Sequence, residues 1–281
     1  MKIIECPRDA MQGLKQFIPT EVKIDYINTL LKVGFDTIDF GSFVSPKAIP
    51  QMRDTAEVLA NLDLDNTRSK LLAIIANVRG AEDAAQHQQI NYLGFPLSVS
   101  ETFQERNTNK SIAEAMEQLA HIQDICGRHD KSLVTYISMG FGNPYGDPWN
   151  AETVIRFVED LDKLGVKIIS LSDTIGMSNP EIITYLFGSL IPAFPHIEFG
   201  AHLHTTPATW QEKVDAAYNA GCLRFDGAIR GYGGCPMAKD ELVGNMATEN
   251  LVGYFENKGL NLELNKEAFQ AAMAQSVAVF S

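Results

Sequence analysis

Short apolar runs recur eight times along the chain, each followed by a stretch of helical period, and this alternation most narrows the possible fold. The runs lie at Lys2–Cys6, Thr37–Phe40, Lys70–Ala76 and Asn91–Phe95, then Leu133–Ser138, Lys167–Ser172, Ile197–His202 and Arg224–Ala228. Between them, Thr20–Leu31, Ser111–Cys126, Ala151–Leu164 and Thr209–Ala220 carry the spacing of amphipathic helices. Pro19-Thr20-Glu21 reads as a helix start, although Lys23 stands where a capping box needs Glu or Gln. Gly34, Gly165 and Gly221 each fall where a helix gives way to a strand. The runs are apolar on both faces, as a parallel sheet covered by helices requires. Eight such units predict an α/β fold, a closed (β/α)8 TIM barrel, which typically needs ~250 residues. No glycine-rich dinucleotide fingerprint follows the first run, which weighs against an open doubly wound sheet. Residues 265–281 read as an extra C-terminal helix. With no linker or low-complexity stretch, residues 1–281 are expected to be a single catalytic domain.

Charge and cysteine usage narrow the partners. The chain has 23 basic and 35 acidic residues, a net charge of −12. Nucleic acid is therefore an unexpected partner, since phosphate neutralisation needs clustered Lys and Arg. No run approaches the ~18 apolar residues of a membrane span. The opening Met1-Lys2-Ile3-Ile4-Glu5 has no secretory pattern, so a cytoplasmic location is expected. Cys6, Cys126, Cys222 and Cys235 form no C-x-x-C pair and read as reduced thiols.

In a barrel of this kind the chemistry sits at the C-terminal ends of the strands. Arg8 and Asp9 follow the first run, Asp39 ends the second, and His202-Leu203-His204 ends the seventh. Alternate residues on a strand share a face, so both imidazoles can meet one metal ion. The pair alone equally fits two histidines satisfied by ordinary hydrogen bonds. With Asp9 and a carboxamide such as Asn245 the donors would be a mixed N/O set, which suits Mg²⁺ or Mn²⁺ better than a thiolate-bound zinc. Arg8 beside Asp9 could hold a developing enolate or a substrate carboxylate; by itself it also fits an ion pair at the barrel mouth. Gly231-Tyr232-Gly233-Gly234-Cys235-Pro236 puts a thiol on a glycine-rich loop after the eighth run, where it could act as acid or base.

Taken together, these residues resemble the 3-hydroxy-3-methylglutaryl-CoA lyase family and, more broadly, the metal-dependent lyases and Claisen-type synthases. The resemblance rests on Pro7-Arg8-Asp9-Ala10-Met11-Gln12, Ser42-Phe43-Val44-Ser45-Pro46-Lys47, Ser172-Asp173-Thr174-Ile175-Gly176, Ala201-His202-Leu203-His204, Gly233-Gly234-Cys235-Pro236 and Gly244-Asn245-Met246-Ala247-Thr248-Glu249. It implies that Asp9, His202, His204 and Asn245 bind the metal, with Arg8 stabilising the enolate and Cys235 transferring a proton. Asp39 or His202 would be the base, and Gln12, Ser42, Ser100, Ser170 and Asp173 match positions near substrate. It further implies an acyl-CoA substrate, cleaved to acetyl-CoA and acetoacetate, and a homodimer. A related aldolase or synthase on another oxo-acid, or a non-catalytic barrel, are the other readings. The chain departs from the family pattern at Ala10, where Gly is usual, and at Asp39, where the lyases carry Glu.

Overall fold

A computed structural model describes residues 1–234 and 243–281. Its strands are β1 (Lys2–Glu5), β2 (Thr37–Ser42), β3 (Lys70–Ile74), β4 (Ile90–Ser98), β5 (Ser132–Ser138), β6 (Ile168–Asp173), β7 (Glu198–Thr205) and β8 (Arg224–Gly227). Each pairs in parallel with the next, and β8 returns to β1. The sheet is thus a closed eight-stranded TIM barrel. Between and after the strands run α1 (Pro7–Gln12), α2 (Thr20–Val33), α3 (Thr55–Ala60), α4 (Val78–Ala85), α5 (Glu101–Thr108), α6 (Ile112–Arg128), α7 (Ala151–Lys163), α8 (Pro180–Ala193), α9 (Trp210–Asn219), α10 (Thr248–Asn257) and α11 (Lys266–Val279). No described helix is long and apolar enough to cross a membrane.

The expected glycine junctions are left-handed. Gly34 and Gly165 have φ of 82°, and Gly221 has 99°, a region that side-chain-bearing residues enter only under strain. Helix starts depend on caps that the apolar period does not display. Ser111 and Glu114 form a capping box on α6, and Asn77, Ser100, Asn150, Asn179 and Asn265 cap α4, α5, α7, α8 and α11. Thr20 does not cap α2; its hydroxyl donates instead to Asp54 at 2.9 Å. The short helices α1, α3, α4 and α5 escape a periodicity reading because six to eight residues show too few turns to establish a period.

The core has two compartments. A large one lies between the barrel wall and the helices, and a small one inside the barrel contains Leu72, Ile74, Tyr92, Val134, Tyr136 and Ile168. The extra helix α11 packs on α2 and reaches the loop after β8. Phe280, which caps its end, stacks on Tyr232 at 4.6 Å, and the Arg230 side chain donates to the Met273 carbonyl. A ninth strand, β9 (Gly244–Asn245), pairs antiparallel with the end of β7, setting Asn245 opposite His204.

Glu5 ends β1 fully buried. Its carboxyl accepts from the Ile229 amide at 2.9 Å and the Thr248 hydroxyl at 2.5 Å, tying the loop after β8 and the start of α10 to the barrel mouth. Burial pushes its pKa from 4.5 up to about 8, against those two hydrogen bonds. A carboxyl more basic folded than unfolded stabilises the fold fully below about 4.5, and the contribution is lost as pH rises through about 8. At ~1.4 kcal/mol per unit the loss amounts to several kcal/mol. Glu5→Gln keeps the shape and is expected to flatten the decline in urea stability across that window. Identical pH slopes in the two proteins would contradict this assignment.

Candidate active site

The functional groups gather where α1, β2, β7 and β9 meet at the C-terminal mouth of the barrel. Pro7 opens α1, its fixed φ suiting the first helical position. The helix then presents Arg8, Asp9 and Gln12 over the barrel. Arg8 is 7% exposed. Its Nε donates to both Asp39 oxygens at 3.1 and 3.0 Å, and Nη2 donates to Asp39 Oδ2. Nη1 donates to Asp9 Oδ1 at 3.0 Å and to Gln12 Oε1 at 2.9 Å. A guanidinium has five N–H donors, and among the described residues this arrangement occupies all but one, on Nη2.

Electrostatics follow from burial and that fork. Burial raises Asp39 to a pKa of about 6 against the pull of Arg8, so it is ionised at neutral pH. Asp9, despite a desolvation that pushes the other way, is held below its ordinary value by Arg8, His202 and His204. Despite its own burial, Arg8 is held more firmly protonated by the Asp39 and Asp9 carboxylates.

Asp9, His202 and His204 place one ligand atom each within 4.8 Å of one another. His202 Nδ1 lies 3.1 Å from Asp226 Oδ2. Both ring nitrogens of His204 are buried without a hydrogen-bond partner among the described residues; the Thr174 backbone faces the ring without meeting hydrogen-bond geometry. Burial and the neighbouring His202 lower its pKa to about 4, so the imidazole is neutral with a lone pair available. A buried polar group without a partner needs an explanation, and a cation held with Asp9 supplies one. The Asn245 amide N–H groups donate to Asp9 Oδ2 at 2.7 Å and to the Tyr232 carbonyl at 2.9 Å, and its carbonyl oxygen offers a lone pair that a cation could accept. These residues fit a hard divalent ion with mixed N/O ligands. A Cβ on Gly233 (φ +84°) would lie 2.7 Å from Ala10 Cα and 2.9 Å from Asp9 O, so only glycine lets the loop after β8 pass this close.

The site opens into a cavity of about 310 Å³. Arg8, Asp9, Gln12, Asp39, His202 and His204 form its polar wall, while Val44, Ile49, Ile74, Pro96 and Phe103 line the apolar side.

The HMGL-like family model matches residues 2–275. The chain belongs to the HMGL-like family. It is 34% identical over 266 residues to the hydroxymethylglutaryl-CoA lyase YngG of Bacillus subtilis, covering 95% of this chain and 88% of that one. The HMG-CoA lyase of Brucella melitensis superposes with a TM-score of 0.92 at 29% identity, over 99% and 98% of the two chains. An HMG-CoA lyase from A. baumannii, solved with coenzyme A and 3-methylmalate, gives 0.91 at 32%, over 100% and 91%.

Not every residue singled out in this HMGL-like sequence reaches the cavity. Of the five positions matched to substrate contact, Gln12 lines it, and Ser42, Ser100, Ser170 and Asp173 are not among its lining residues. Ser42 Oγ accepts from the Val44 amide, and Ser100 caps α5 and donates to Asp147 at 2.5 Å. Ser170 sits two residues below Ser172 on the same face of β6, roughly 6.6 Å deeper at the rise of a strand; Ser172 lines the cavity. Asp173 accepts from Lys213 Nζ at 2.8 Å and from the Ser178 amide and hydroxyl at 3.0 and 2.5 Å. Cys235 lies outside the described residues. Sequence reasoning missed Tyr136, whose ring lies edge-on to His202 with a partnerless hydroxyl, and Asp226 beneath His202.

Proposed function

We propose that this chain is a divalent-metal-dependent carbon–carbon lyase that cleaves 3-hydroxy-3-methylglutaryl-CoA to acetyl-CoA and acetoacetate. The observation that carries the reading is the convergence of Asp9, His202 and the partnerless His204 on one spot, beside an Arg8 with one uncommitted N–H. Asp9, His202, His204 and Asn245 hold Mg²⁺ or Mn²⁺, which when bound supplies Lewis acidity toward the substrate's oxygens.

The protein's own groups carry the proton traffic. Asp39 or His202 takes the proton from the C3 hydroxyl. The electrons of that O–H bond become the new ketone of acetoacetate as the C2–C3 bond breaks. The pair released to C2 is spread onto the thioester oxygen as an enolate. Arg8, pinned by Asp39 and Asp9, keeps its remaining N–H for that developing charge. Cys235 then delivers its thiol proton to C2, completing acetyl-CoA. Gln12 fixes the guanidinium from the Nη1 side.

Support for the thioester comes from the family match over residues 2–275 and the A. baumannii relative solved with coenzyme A. A cytoplasmic homodimer is the accompanying expectation; light scattering at the eluted peak tests the assembly. The test of the reaction is product identity. Incubation of the substrate with enzyme and Mg²⁺ is expected to give acetyl-CoA and acetoacetate in equal amounts by mass spectrometry. Cleavage of free oxo-acids with the thioester left intact would overturn the assignment in favour of an aldolase.

A further inference from the structure

Beneath the candidate metal ligands the barrel interior holds charged groups that the mechanism does not use. Arg224 and Asp226 are two apart on β8, so both point into the barrel; they are 1% and 3% exposed. Gly200 on β7 pairs with Arg224, and a Cβ there would lie 3.1 Å from both Arg224 Cδ and Ser170 Oγ. The glycine therefore makes room for the guanidinium. One strand position up from Gly200 on the same face stands His202, with Asp226 beside it on β8. Asp226 Oδ2 lies 3.1 Å from His202 Nδ1. Its Oδ1 has no partner, and neither have Arg224 Nε and Nη2; Arg224 Nη1 donates to Glu198 at 3.2 Å. Two further groups lie close to this pair: the Tyr136 ring, edge-on to His202 at 5.8 Å, and the Cys6 thiol, which is held by the Ile4 carbonyl at 3.7 Å.

We propose that Asp226, with Arg224 as its internal counter-charge, is the positioning residue for His202. Its carboxylate accepts the Nδ1–H, which fixes the imidazole plane and leaves Nε2 as the lone-pair nitrogen offered with Asp9 and His204. A carboxylate on the far nitrogen of a metal-binding histidine raises the basicity of the ligating one, and its loss typically weakens metal binding roughly 10–100-fold. Asp226 thereby sets ion affinity without touching ion or substrate. The inference rests on the proposed metal site, but its first test does not need the metal.

Nitrogen-15 NMR of histidine-labelled, metal-free protein at mildly alkaline pH reads the His202 tautomer, with the signal assigned by its loss in His202→Gln. The expected result is a protonated Nδ1 and a bare Nε2; a protonated Nε2 would overturn the proposal. Mn²⁺ affinity, read by electron paramagnetic resonance of the free ion, should weaken roughly 10–100-fold in Asp226→Asn. Arg224→Met should weaken it less, and should add nothing in the Asp226→Asn background. A purely structural role would lower the melting temperature and leave tautomer and Mn²⁺ affinity unchanged, which would also overturn it. Should Asp226→Asn fail to fold, the wild-type tautomer still decides. A wild-type protein that binds no Mn²⁺ would sink the metal-site reading instead, with the tautomer result standing separately.

Discussion

Arg8→Gln is expected to lower kcat by roughly 10²–10³-fold or more with little change in KM, because it removes a donor aimed at charge that appears only in the transition state. The fork explains why the loss should be so large. Three contacts to Asp39, one to Asp9 and one to Gln12 hold the guanidinium still, so its last N–H needs no reorganisation when the enolate forms. Glutamine cannot rebuild that fork, and it leaves two buried carboxylates without their counter-charge. Arg8→Lys should fail nearly as badly, since an ammonium is a point charge without the planar fork. Steady-state kinetics on folded, metal-loaded variants decide the matter. A rise in KM at unchanged kcat would place Arg8 in ground-state binding alone.

His204→Ala has the second large expected effect. Both nitrogens of His204 are buried without partners, so the metal-free protein loses no hydrogen bond when the ring goes. What disappears is one of the proposed ligands. Wild-type protein should gain thermal stability on adding Mn²⁺, by about 2.7 kcal/mol at a hundred times Kd, and the variant should gain almost none at the same concentration. Activity should fall with it. An undiminished Mn²⁺ shift in His204→Ala would remove this residue from the ligand set.

The frame of the fold was readable because a closed parallel barrel buries its strands on both faces and ends its helices in left-handed glycines; Gly34, Gly165 and Gly221 all behave so. His202 and His204 were readable as a pair because strand geometry puts alternate residues on one face. Asp226 was not. Its meaning depends on β8 lying beside β7 in a register that sets Arg224 against Gly200, which no local pattern in the chain encodes. Ser100 and Asp173 were readable as polar residues close to strand ends, but not their partners. Asp147 and Lys213 lie 47 and 40 residues away in sequence. The short pairing of Asn245 with His204 was equally hidden, because two residues make no periodicity.

On the proposed mechanism, carbon–carbon cleavage depends on an ion held by Asp9, His202 and His204. The most direct measurement is acetyl-CoA release from 3-hydroxy-3-methylglutaryl-CoA by EDTA-stripped enzyme as Mn²⁺ is added back, alongside direct Mn²⁺ binding. The expected result is no release without metal, recovery that saturates with the same midpoint as binding, and loss of both in His204→Ala. Full release from metal-free enzyme, or recovery unaffected by removal of His204, would contradict it.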